Sequence, residues 1–191
     1  ETEIQSIHNA GSAGKCKVDV WVEDTPYSSP LGIDTGDEPD SDMTGQPMWL
    51  SKAIWVRKNT GSPGPNGDHT DHQNPEFGQT NEVYVTVQNR GEAVASNTTV
   101  KVYWANASTG LSWPGYWNLI PPSATTTISS LAPGASTTVA IPWNPPDPTL
   151  SVNGHFCLVA RLENPQDNPA NENNSIGYNT RYNNNIAWRN V

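Results

Sequence analysis

Five acidic side chains crowd one short stretch of this sequence: Asp34, Asp37, Glu38, Asp40 and Asp42. A hard cation such as calcium takes about six to eight oxygen ligands, and carboxylates interleaved with backbone carbonyls and Gly36 offer that donor set. The spacing is not that of an EF-hand, because no glutamate closes the loop that Asp34 would open. The run reads either as a calcium-ordered loop or as a solvated acidic one, and calcium is the only cofactor the sequence suggests.

Asp68, His69, Asp71 and His72 form a second cluster with metal-ligating side chains. Zinc needs three or four converging ligands, and no further His or Cys group completes this set, so a surface loop is the expectation. A serine nucleophile would call for a Gly-x-Ser-x-Gly elbow, which is absent. His155 and Cys157 alternate along one strand without a third group to orient them. Glycoside hydrolysis needs two carboxylates facing each other across a cleft, which scattered acids do not supply. The chain is therefore read as not an enzyme. The ring-bearing side chains Trp113, Tyr116 and Trp117 either stack on glycans or plug the end of the fold around Pro114 and Gly115. Cys16 and Cys157 are the only cysteines, so they form one intrachain bridge or remain two free thiols.

The elements that must position these groups are strands. The chain has 15 Gly and 17 Pro, with Thr, Ser and Asn between short apolar runs, and few windows carry helical periodicity. Hydrophobic residues are only 34%, yet eight Trp and six Tyr supply enough buried area to argue against disorder. Alternation places Val18, Val20 and Val22 on one face, then Val83, Val85 and Val87, then Val100, Val102 and Trp104. Val139, Ile141 and Trp143 share a face of a strand that the prolines at 142, 145 and 146 end. Phe156, Leu158, Ala160 and Leu162 share another, which turns Cys157 to the opposite side, where an N-terminal segment bearing Cys16 would cover it. A last strand carries Ile186 and Trp188 after an Asn-rich loop. Two long stretches, 24–46 and 59–80, read as loops, the second also as a hinge. The architecture expected is an all-β, immunoglobulin-like antiparallel sandwich over 73–191, with residues 1–72 as an N-terminal extension packed on it.

From about Gln73 onward the sequence resembles the CARDB family, the cell-adhesion-related domains of secreted bacterial proteins. The resemblance lies in Gly78-Gln79-Thr80-Asn81, Asn89-Arg90-Gly91, Leu131-Ala132-Pro133-Gly134, Pro142-Trp143-Asn144-Pro145-Pro146, Gly154 to Arg161, and the asparagine groups at 173–174 and 183–185. Glu163 stands where the family often has Asp, and the aromatic insertion around Trp113 is longer than in short members. The resemblance implies an accessory or adhesive module and transfers no catalytic residues.

The formal charge of −9, with ten Lys plus Arg, opposes binding to nucleic acid or to an anionic membrane. No apolar run approaches a membrane span, and a start at Glu1 fits a processed chain or an excised domain. The Asn-x-Thr/Ser triplets at 97, 106 and 173 would matter only in a eukaryotic secretory route and are read as coincidence in so Asn-rich a chain. The function expected is a noncatalytic extracellular module for adhesion, spacing or assembly. Its partners would be other subunits or domains of a larger surface protein, with strand addition expected at the edge ending at Val191. The alternative is a carbohydrate-binding module using the aromatic loop.

Overall fold

The computed structural model describes residues 17–24, 34–40, 47–107, 110–120, 126–150 and 154–191. Strand β3 (Asn81–Asn89) is the centre of the first sheet. Along one side it pairs antiparallel with β7 (Ser136–Trp143), from Asn81 opposite Trp143 to Gln88 opposite Ser136. Its other side is shared end to end by β1 (Val20–Trp21) and β2 (Ile54–Lys58), with Val20 opposite Asn89 and Ile54 opposite Val85.

The second sheet is built on β4 (Ala95–Asn106), which pairs with β8 (Phe156–Glu163), and β8 in turn pairs with β9 (Ile186–Asn190). The far side of β4 is divided between β6 (Thr126–Leu131) and the short β5 (Asn118–Leu119). Two antiparallel sheets face each other, which is the immunoglobulin-like sandwich that the alternating pattern calls for.

The facing side chains are those the alternation predicts. Val83, Val85 and Val87 of β3 meet Val100 and Val102 of β4, Val139, Ile141 and Trp143 of β7, and Phe156, Leu158, Ala160 and Leu162 of β8 in one core. Val18, Val20, Val22, Ile54 and Val56 enter the same core, so the described part of the extension is built into the sandwich. Trp55 points to the outer face, where it stacks on Tyr84 with ring centroids 5.4 Å apart and donates Nε1–H to the Pro63 carbonyl. That contact draws the long 59–80 loop against the sheet.

Asp71 holds this loop from inside. Its Oδ2 accepts the N–H groups of Asn66 and Gly67 at 2.9 and 2.8 Å, while its carbonyl accepts from Arg57. Asp71, itself buried, thus scaffolds the loop that carries His69 and His72.

Two elements depart from the sequence reading. The Asn-rich stretch contains a helix, α1 (Ile176–Tyr182), capped by Ser175, whose side chain accepts from the Tyr178 N–H. The β9 edge is also not open for strand addition. Ser51 N–H donates to the Trp188 carbonyl and Asn190 N–H to that of Trp49, so residues 49–51 already occupy it. The extension covers the edge that sequence alone leaves bare.

Candidate functional site

Three regions carry the side chains singled out by type and spacing. The first is the acidic run. Asp34 and Asp40 are buried, and they are joined by Asp24 from the segment after β1. Burial first, then the charges of Asp34 and Asp40, hold the Asp24 carboxyl well above the usual carboxylate range. Asp37 instead lies at the surface, 3.5 Å from Arg90 Nη1, and Glu38 accepts the Asn184 N–H at 2.7 Å. Asp42 lies outside the described residues. The structure therefore brings together two of the five predicted ligands and adds Asp24, which stands ten positions upstream of the run. As the side chains stand, no group of three or more His, Cys, Asp and Glu among the described residues is set in metal-ligating geometry.

A network of amides ties this region to the C-terminal part of the chain. Asn184 Nδ2 donates to Asp19 Oδ1 and to the Gly36 carbonyl, while Asn185 Nδ2 donates to the Val20 carbonyl. Asp167 Oδ2 accepts from Val20 N–H at 2.6 Å and from Asn185 Nδ2 at 3.1 Å. Burial, with Asp19 close by, pushes its carboxyl up to about 7. Gly36, at φ +70°, lies so close to Trp21 and Arg90 that a Cβ would meet both at 3.0 Å.

The second region is the aromatic loop. Trp117 is buried and donates Nε1–H to the Leu111 carbonyl. Trp113 packs edge-on against Tyr103 at 5.0 Å and tilted against Trp117 at 6.2 Å. Together with Ile176 of α1 and Ile186 of β9 they roof the outward side chains Cys157 and Val159. These rings therefore cover the outer face of the second sheet instead of plugging the end of the sandwich. They pack over Cys157, while the N-terminal segment expected to cover it, residues 1–16, lies outside the described residues. Cys157 is a free, buried thiol whose Sγ donates to Asn190 Oδ1, and burial pushes it up to about 11. Cys16 lies outside the described residues.

Tyr116 differs from its neighbours: it is 53% exposed. It flanks a hollow of about 360 Å³ whose other walls include Trp104, Asn106, Asn118, Pro146 and Phe156. Trp104 is only partly buried and meets Phe156 edge-on at 5.9 Å. A second hollow of about 310 Å³ shares Pro146 and Phe156 with the first and adds Phe77, Pro145 and His155. Sequence reasoning placed Trp104 among the core side chains by its parity with Val100 and Val102. Trp104 packs against that core without being enclosed by it, and Asn106, the next residue of the same parity, lines the same hollow. The chemistry of this end is flat rings beside amide donors and acceptors, which suits contact and stacking.

Among the described residues, no helix is long and apolar enough to cross a membrane. No curated protein matches the chain. The fold is similar to the crystal structure of a CARDB domain from Pyrococcus furiosus, described as a complex with di-metal ions. Identity is 17%, covering 73% of this chain and 88% of that one, at a TM-score of 0.38. A solution structure from Geobacter metallireducens is 23% identical over 60% of this chain and 81% of its own, also at 0.38. A β-glucosidase involved in saponin metabolism from intestinal bacteria is 18% identical over 73% of this chain, but that match spans only 16% of the enzyme, at 0.37. Likenesses this loose assign no function. The family model is specific: CARDB matches residues 67–178, more than half of the 191. The chain belongs to the CARDB family, a non-enzymatic domain family found in extracellular bacterial proteins.

Proposed function

We propose that this protein is a noncatalytic adhesion-type module of a secreted or surface-displayed bacterial protein, joining and spacing neighbouring protein domains through the end of the sandwich around Tyr116. The observation that carries this reading is the grouping of exposed Phe77 and Tyr116 with Trp104 and Phe156 around two adjoining hollows. Aromatic side chains are enriched at protein contact surfaces, and contiguous apolar patches rimmed by polar groups mark such sites.

The test uses a photo-crosslinking phenylalanine analogue at Tyr116, with the same probe at exposed Val94 as control, in the intact protein that carries the domain. Val94 precedes β4 and therefore lies toward its other end, up to about 30 Å away. Protein adducts at 116 and not at 94 are expected. Equal labelling at both, or none at 116, overturns the reading.

A second reading, glycan binding, is favoured by the pairing of Trp104 and Tyr116 with Asn106 and Asn118 around one hollow. Stacking rings plus amides is how a flat sugar face and its hydroxyls are held. It predicts binding on a glycan array that Trp104→Ala and Tyr116→Ala each weaken by about tenfold or more, in keeping with losing a central aromatic contact. An array without signal for the wild-type domain removes this reading.

A further inference from the structure

Asp24, Asp34 and Asp40 are each 4% exposed and stand together where residues 17–24 and 34–40 meet the C-terminal end of α1. Asp34 organises the corner, since its Oδ2 accepts the Asp24 N–H at 2.9 Å and its Oδ1 the Gly36 N–H at 2.7 Å. Asp40 is fixed beside the helix by its own N–H, which donates to the Arg181 carbonyl at 2.8 Å. The charged groups that act on Asp24 are Asp34 and Asp40, and no base is among them. The buried Asp19 instead lies 2.8 Å from Arg90 Nε.

An independent observation points into the same corner. Thr180 is 1% exposed, lines the space shared by Asp24, Asp34 and Asp40, and its Oγ1 has no hydrogen-bond partner among the described residues. A buried hydroxyl without a partner bears the full cost of its desolvation, and a ligand at this point would remove that cost. The space beside it is too narrow for a water-sized sphere. A bare divalent cation is smaller than water and is attracted by the surrounding charge.

We propose that Asp24, Asp34, Asp40 and Thr180 Oγ1 form a binding site for one calcium ion, which ties residues 17–24 and 34–40 to the end of α1. The Asp24 carboxyl hydrogen-bonds to Asp34 and Asp40 as they stand, and binding calcium requires these carboxylates to turn from one another to a shared point. Calcium suits a site of this kind because it accepts irregular oxygen cages, whereas magnesium demands near-octahedral order and keeps its waters.

The experiment is calcium titration of the chelator-treated full chain by calorimetry, with thermal unfolding and limited proteolysis in parallel. One calcium per chain is expected, with a dissociation constant on the order of 10⁻⁴ M, as in extracellular modules. Calcium should raise the melting temperature and protect residues 17–24 and 34–40 from cleavage. Asp24→Asn should weaken binding by about tenfold or more and Thr180→Val by a smaller factor, since a carboxylate contributes more than a hydroxyl to a hard cation. Without calcium, Asp24→Asn should melt no lower than wild type, because it relieves repulsion, and a purely structural aspartate would not behave so. Asp37→Asn, at the surface beside Arg90, should bind like wild type. Absence of heat and of any melting shift with wild type at about 10 mM calcium, well above the weakest modular sites, overturns the proposal. So does an equal loss in Asp37→Asn, which would mark a diffuse acidic surface, and so does tighter binding of magnesium. Should a variant fail to fold, the wild-type titration and its proteolytic protection still decide.

Discussion

Replacing His72 by Asn should flatten the acid side of the stability profile of this domain. The imidazole Nδ1 accepts the Val56 N–H at 3.1 Å, inside a strand whose Val56 is fully buried. Burial first, and then the nearby Arg189 charge, lower the imidazole from its ordinary 6.5 to about 4. A folded-state pKa below the unfolded one gives stability that is complete above about 6.5 and lost as pH falls toward about 4. The displacement corresponds to about 3 kcal/mol at 1.36 kcal/mol per pKa unit, and solvent at the partly exposed ring reduces it to about 2 kcal/mol. Asn places its Oδ1 where the imidazole carries Nδ1, so His72→Asn retains the acceptor and removes the titration. Urea unfolding followed by Trp fluorescence at several pH values between about 4 and 7.5 measures both proteins. The variant should hold its stability better than wild type by about 2 kcal/mol at the acid end and match it near neutrality. Parallel profiles would refute the reasoning, because the Val56 contact would then not depend on a neutral imidazole.

Asp167 contributes a slope of the opposite sign. Its carboxyl, raised to about 7, favours folding while protonated, and that contribution is lost as pH rises through about 7. Asp167→Asn, whose Oδ1 can still accept from Val20 and Asn185, should be more stable than wild type above pH 7 by on the order of 1–3 kcal/mol, with the gap closing toward pH 4; the same urea series at both ends of the range checks this. At Gly91 a Cβ would meet the Asp19 nitrogen at 2.7 Å and the Lys17 carbonyl at 2.8 Å, both backbone. Gly91→Ala should therefore push residues 17–19 away from residues 90–93, to which they are hydrogen-bonded, cost about 1–3 kcal/mol, and make that segment cleavable in limited proteolysis. Undiminished protection would count against it.

The strands were legible because each carries its own alternation. Val83, Val85 and Val87, or Phe156 through Leu162, announce a buried face without reference to any neighbour. The covered edge at β9 was not, since the hydrogen bonds to residues 49–51 belong to a backbone pairing that leaves no composition signal. Helix α1 had a readable signature in Ser175 as cap and in buried Ile176, Asn179 and Thr180 at helical spacing. Two of those buried positions are polar, which hid the stripe. In the aromatic loop, ring type alone does not distinguish a stacking platform from a roof. Burial decides it for Trp117, and exposure sets Tyr116 apart.

By itself the sequence determined the class of fold, the family, the excess of negative charge and the presence of an acidic run, because periodicity, motif order and charge are properties of the chain. Which acids are buried together follows instead from how distant segments pack. Asp24 and Thr180 lie outside the run and reach Asp34 and Asp40 through the packing of two distant segments, while Asp37 and Glu38 within the run turn to Arg90 and Asn184. Proximity in sequence sets which carboxylates can repel in the unfolded chain. Burial and backbone hydrogen bonds set which of them must be compensated in the folded one.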